Sequence, residues 1–112
     1  FLFDTNAISN GRRGSAVVQR RLETIPLDQT FVSVISLGEF EGRGKQNQKG
    51  ARFAALLRAW LGQVVARYEP RILPISKEVA LTWGIIAAGR TRDTADALIA
   101  ATAIVHGLTL VT

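Results

Sequence analysis

Phe1-Leu2-Phe3-Asp4-Thr5-Asn6 opens the chain and decides how the rest is read. Three apolar residues are closed by three residues that favour turns and helix caps, so the stretch reads as a buried strand leading directly into a helical segment. Gly11 and Gly14 interrupt that segment. Ser15 then caps a helix over 16–24, with Val17, Val18 and Leu22 inward, until Pro26 stops it. A second strand is expected at 31–34, and Ser33 or Ser36 caps the following helix, which carries Leu37, Glu39, Phe40 and Glu41 before Gly42 and Gly44 weaken it. Over 51–68 the apolar residues Phe53, Leu56, Leu57, Trp60, Leu61, Val64 and Val65 recur at spacings of three and four, one side of a long helix that Pro70 ends.

The alternation continues to the end of the sequence. A third strand is expected at 71–73, a break at Pro74, and a helix capped by Ser76 that runs through Val79, Trp83 and Ile86 to Gly89. Thr94 caps a helix over 95–106, Gly107 ends it in a left-handed turn, and 108–111 forms a fourth strand. Short apolar strands separated by helices imply an α/β layer fold with a mostly parallel sheet, because crossovers of this length do not serve an antiparallel meander. Ligands of such sheets gather at the carboxyl ends of the strands, which makes Asp4 the first residue to consider.

Composition narrows the chemistry. The 112 residues are 47% hydrophobic and 21% charged, enough apolar content for one domain with a core over 1–112 and unlike a disordered segment. Without cysteine there are no disulfides, thiolate metal sites or cysteine nucleophiles, and with His106 alone no site is built on two imidazoles. No run approaches the roughly 18 apolar residues of a membrane span, and no signal-like segment opens the chain, so a cytoplasmic protein is expected. The formal charge of +5 points to a polyanionic partner, nucleic acid or an acidic protein. The sequence contains no Met and starts on an apolar run, so both of its ends are expected to be trimmed.

The acids supply the candidate site. Asp4 follows the first strand, Glu39 lies early in the helix after the second, and Asp96 lies in the first turn of the helix before the last. Each alone is explained by capping and the helix dipole, an interaction of roughly 0.3–1 kcal/mol. Two or three carboxylates converging on one sheet edge would repel, and a small hard cation such as Mg²⁺ or Mn²⁺ would neutralise them while phosphate oxygens complete its shell. Acidic ligands in a basic chain fit a nuclease. Arg43, Lys45, Lys49 and Arg52 open an acid-free basic stretch that serves either RNA phosphates or simply a solvated face. Trp60 and Trp83 are expected in the core or at a dimer interface, and His106 in the last helical turn.

Four segments taken in order resemble a known family. Phe1 to Asn6, Val34-Ile35-Ser36-Leu37-Gly38-Glu39, Arg71-Ile72-Leu73-Pro74, and Ala95-Asp96-Ala97-Leu98-Ile99-Ala100-Ala101-Thr102-Ala103 through His106-Gly107-Leu108-Thr109-Leu110-Val111-Thr112 closely resemble PIN domains of the VapC toxin type. The resemblance implies a three-layer α/β/α fold and a metal-dependent endoribonuclease. It further implies the toxin of a toxin–antitoxin pair with a VapB-type antitoxin as partner, and a homodimer. It places the metal-binding acids at Asp4, Glu39 and Asp96, with Thr5, Asn6 and Ser36 as supporting polar residues. The family normally carries a fourth acid several residues past the position of Thr112, where this sequence stops; Asp93 is a substitute ligand or, more simply, a cap. Glu41, about 200° around the helix from Glu39, is expected to face elsewhere. The alternatives are a basic RNA-binding module that keeps the fold without hydrolysis, and an aspartyl-phosphate enzyme of the haloacid-dehalogenase kind. That second chemistry expects an acid where Asn6 stands.

Overall fold

Four strands of two or three residues pair in the order β3-β2-β1-β4, every pair parallel. The structure, a computed structural model, describes residues 1–12, 20, 23–46, 50–90 and 93–112, and only the backbone at 10–12 and 44–46. In chain order the elements are β1 (Leu2–Phe3), α1 (Thr5–Arg12), β2 (Phe31–Ser33), α2 (Val34–Gln46), α3 (Ala51–Tyr68), β3 (Ile72–Leu73), α4 (Lys77–Ala87), α5 (Thr94–His106) and β4 (Leu110–Val111). Single 3₁₀ turns at Leu27–Gln29 and Glu69–Arg71 lead into β2 and β3. The expected helix over 16–24 lies mostly outside the described residues.

Parallel register carries the alternation of the strands across the whole sheet. Phe3 stands beside Val32 and Val111, and Val32 beside Ile72, so these four side chains share one face. That face packs with Ala7, Ile8, Phe40 and Val64 from α1, α2 and α3. Leu2, Phe31 and Leu73 point to the other face and meet Ile99 and Ala103 of α5. Both faces of the sheet are therefore apolar and covered, which is the reason for three layers and for strands without polar alternation. Within the larger core, the rings of Phe40 and Trp60 meet edge to face, 4.9 Å apart at 86°, so Trp60 is a core residue.

Local chemistry sets the helix ends. Ser33 Oγ accepts the Ile35 amide at 3.0 Å and starts α2 immediately after β2. Ser76 accepts the Val79 amide and starts α4. At the end of α5, Gly107 adopts φ 63°, its amide reaches the Ile104 carbonyl, and the Leu108 amide reaches the Ala103 carbonyl at 2.9 Å. This is a Schellman turn, and Leu108 packs on the cluster that contains Ala103. Arg71 ties the far edge of the sheet: Nε donates to the Thr30 carbonyl and Nη2 to the Arg67 carbonyl at the end of α3.

Several boundaries differ from the sequence reading, each for a physical reason. Helix α2 runs through Gly42 and Gly44 to Gln46, because burial of Phe40 and packing of Leu37 offset a glycine cost of about 1 kcal/mol each. Leu56 is exposed; Leu57 and Val64 centre the buried face of α3, and a one-residue step turns Leu56 about 100° away. Arg71 belongs to the turn before β3. Asp93, not Thr94, caps α5, and β4 starts at Leu110 because Leu108 is taken by the Schellman turn.

Gly62 lies mid-way along α3, exposed, with nothing within 4 Å of the position a Cβ would take. Gly62→Ala is expected to raise stability by about 0.5–1 kcal/mol through the lost freedom of the unfolded chain. Urea unfolding checks this, and an unchanged or lowered midpoint would contradict an open helical environment there.

Candidate functional site

From β1 the chain adds β2 and then β3 on one side, and returns to place β4 on the other. The direction of winding therefore reverses between β1 and β4, and the crevice at their carboxyl ends is where parallel sheets bind ligands. Asp4 directly follows β1, Thr112 directly follows β4, and α2 starts at the same edge directly after β2. Helix α5 must deliver the chain to the amino end of β4, so its first turn, with Asp93 and Asp96, lies toward this carboxyl edge.

Asp4 is both a cap and a strand terminus. Its backbone amide donates to the Val111 carbonyl at 3.0 Å, its carbonyl accepts the Ile8 amide at 3.1 Å, and Oδ1 accepts the Ala7 amide at 2.9 Å. The half-buried side chain thus commits one oxygen to the start of α1, while Oδ2 has no protein donor among the described residues. Thr5, the first residue of α1, is buried and reaches across to α2: its hydroxyl donates to Glu39 Oε1 at 2.5 Å and lies 3.0 Å from Ser36 Oγ. Glu39 is half-buried, whereas Glu41 is exposed, as their angular separation on α2 requires.

The partner of the Thr5 hydroxyl is what the sequence did not disclose. The resemblance implies Thr5 and Ser36 as supporting polar residues without saying what they touch; the structure shows their hydroxyls joining the turn that carries Asp4 to Glu39. A hydroxyl at the first position of a helix fed directly by a buried strand is the one available signal. Asn6 is exposed on the other side of the turn. Asp96 is exposed in the first turn of α5, and its amide donates to Asp93 Oδ1 at 3.2 Å, so Asp93 has the capping role. Among the described residues no three His, Cys, Asp or Glu side chains stand close enough to chelate one metal ion. Asp4, Glu39 and Asp96 share an edge without closing into a ligand trio.

The basic residues stand apart from these acids. Among the described residues the only ion pair is the exposed Lys77–Glu78 at 3.9 Å, and none of the described basic side chains pairs with Asp4, Glu39 or Asp96. Arg43 is exposed, with its guanidinium 5.4 Å from the centre of the Phe40 ring. Arg52 is exposed in the first turn of α3. The side chain of Lys45 and the whole of Lys49 lie outside the described residues. His106 is exposed at the end of α5, and Thr112 is exposed beyond β4. Trp83 is half-buried, with its indole N–H covered and without an acceptor among the described residues.

The PIN domain family matches the chain over residues 1–112. None of the curated protein sequences matches it significantly. Among solved structures, FitAcB from Neisseria gonorrhoeae superposes with a TM-score of 0.87 at 30% identity, covering 99% of this chain and 85% of that one. A toxin–antitoxin complex from Klebsiella pneumoniae superposes with a TM-score of 0.77 at 25% identity, covering 99% and 83%. VapBC2 from Rickettsia felis, bound to a DNA fragment from its promoter, has a TM-score of 0.76 at 21% identity over 99% and 84%, a likeness of fold alone.

The Oδ1–Ala7 contact makes a stability statement. Asp4→Ala is expected to cost about 1 kcal/mol by removing the cap of α1, whereas Asp4→Asn retains an equivalent acceptor and leaves stability nearly unchanged. Thermal unfolding of the two variants side by side checks it; equal destabilisation would mean that the charge, not the cap, holds the turn.

Proposed function

The chain belongs to the PIN domain family, and from that premise we propose that it is the toxin of a toxin–antitoxin pair, a metal-dependent endoribonuclease acting in the cytoplasm. The observation that supports this reading is the hydrogen bond from Thr5, the residue after Asp4, to Glu39, with no ion pair to either acid among the described residues. Their oxygen donors suit a hard divalent cation, Mg²⁺ or Mn²⁺, and exclude soft-metal chemistry as a first choice. Asp4 and Glu39 would hold the ion, with Asp96 as the third acid from the start of α5. When bound, such an ion makes a coordinated water more acidic and offsets charge on a phosphodiester.

The protein's own residues supply the rest. Asp4 presents one carboxylate oxygen from a capped, rigid turn, and Glu39 presents Oε2 while Oε1 is held by Thr5. Arg43 and Arg52, exposed and unpaired with acids among the described residues, would attract the RNA backbone, with Lys45 and Lys49 in the same stretch of sequence. The neighbours FitAcB and the Klebsiella pneumoniae complex support an antitoxin as partner. A second copy of the chain would cover Leu81 and Ile85 on α4 and Ile104 on α5, which are 64%, 80% and 62% exposed. Among the described residues no helix is long and apolar enough to cross a membrane.

A labelled single-stranded RNA incubated with the purified protein is expected to be cut in Mg²⁺ or Mn²⁺ and to survive in excess chelator. Asp4→Asn, Glu39→Gln and Asp96→Asn should each lower the cleavage rate by about 100-fold or more with the fold intact. Undiminished cleavage by Asp4→Asn and Glu39→Gln would refute the assignment, and salt-sensitive RNA binding without products would point to the non-catalytic module instead. For the dimer, Ile85→Asp is expected to convert the species seen by light scattering from two chains to one; a wild-type monomer would remove the second copy from the proposal.

A further inference from the structure

Helix α2 carries a cationic side chain one turn beyond Glu39. Residues four apart on a helix are separated by about 40° around its axis, so Arg43 shares the face of Glu39, between it and Phe40. Helical side chains lie back toward the amino end, which returns the guanidinium across much of the rise of about 6 Å between the two positions. Arg43 does lie back: its guanidinium is over the ring of Phe40, 5.4 Å from the centre. A Glu followed four residues later by a basic residue is the order that favours an ion pair, yet none joins these two. Phe40, 1% exposed and met edge to face by Trp60, takes the cation instead. From this geometry we infer that Arg43 binds substrate directly, as the ligand of one RNA phosphate at or next to the bond that is cut. The inference rests on the reading of Asp4 and Glu39 as the metal-binding acids of a ribonuclease, and it assigns Arg43 a single phosphate where the basic stretch as a whole supplies only general attraction.

The ring holds the cation without using its donors. A guanidinium carries five N–H groups at the edges of a plane, a fork that fits two phosphate oxygens, and attraction to a ring face engages none of them. Arg43 is exposed, so an incoming polyanion reaches it, while Phe40 belongs to the larger core and gives the cation a fixed platform. An ion pair with Glu39 would cancel the charge that a metal ion needs. With the guanidinium on Phe40, the two charges stay separate, one for a cation and the other for a phosphate. Arg67 makes the same kind of contact, 5.9 Å from the centre of the Tyr68 ring, but at the end of α3 that leads to the amino end of β3. It is exposed and lies toward the opposite edge of the sheet from Asp4, which makes it a matched control.

The affinity for a short single-stranded RNA with one cut linkage, read by fluorescence anisotropy in excess chelator, isolates binding from cleavage. Arg43→Gln is expected to weaken it about 5- to 20-fold, the loss of one charge-assisted contact. The slope of log affinity against log salt should fall by about 0.7, the value for one phosphate on a single strand. Arg67→Gln should leave both at wild type. Replacing the phosphates one at a time by uncharged methylphosphonates locates the contact: one linkage, the cut one or its neighbour, should matter to the wild type and no longer to Arg43→Gln. Wild-type affinity and a wild-type methylphosphonate profile in Arg43→Gln would overturn the inference, as would equal losses in Arg67→Gln or a sensitive linkage farther from the cut. Arg43→Met, which keeps the aliphatic stem against Phe40, is read in the same way should Arg43→Gln not fold. If the wild type bound RNA but cut none in Mn²⁺, the nuclease reading would fall, while the scan would still decide whether Arg43 holds a phosphate. If it cut RNA and Arg43→Gln bound as tightly, the inference alone would fall.

Discussion

The structure depends on a strand of two residues. Leu2 and Phe3 point to opposite faces, each is buried in a different core cluster, and each is flanked by parallel neighbours on both sides. Because β1 is interior, its backbone groups are paired with β2 on one side and β4 on the other, and the residue that leaves it has one direction available. That residue is Asp4, whose amide is still held by Val111 while its carbonyl already accepts the first hydrogen bond of α1. Asp4 alone stands between β1 and α1. The position of the first acid is therefore inherited from the sheet and not from a loop, which is the kind of support that holds functional groups in place.

The charge pattern acquires meaning from that geometry. A chain with net charge +5 has many opportunities to pair its acids, and pairing would satisfy them at little cost on the surface. Among the described residues the site acids have no such partner; Glu39 takes a hydroxyl and Asp4 an amide, both neutral donors. Neutral donors orient a carboxylate without cancelling its charge.

Most of the fold was legible because its punctuation is strong. Ser76 and Gly107 mark helix ends with side-chain and backbone chemistry that the sequence shows directly, and the spacing from Phe53 to Val65 belongs to the single helix Ala51–Tyr68. What the sequence hid was tertiary. Glycines at 42 and 44 look like an ending, yet the helix continues because its buried residues lie just before them. Leu56 looks like core and is not, since periodicity defines an arc wider than the surface α3 actually meets. The site divides the same way: Asp4 and Glu39 stand out as acids near strand ends, but Thr5 is a common residue whose hydroxyl gains a role only when α1 and α2 are brought side by side. Asp93 was readable as a cap, and its acceptance of the Asp96 amide bears that out.

Capping and metal binding, which look like rivals for Asp4 in the sequence, are compatible once the two oxygens are considered separately. The Ala7 amide approaches Oδ1 alone, and that contact holds the carboxylate toward the start of α1. The second oxygen takes no protein donor among the described residues, so the cap does not compete with a ligand role. Glu39 follows the same division, with Oε1 held by Thr5 and no donor to its other oxygen among the described residues. Asp96 lacks an equivalent restraint: its backbone, not its carboxylate, is engaged by Asp93, and its side chain is exposed. Two of the three acids are thus held by protein donors within the fold, and the carboxylate of the third takes no such donor among the described residues.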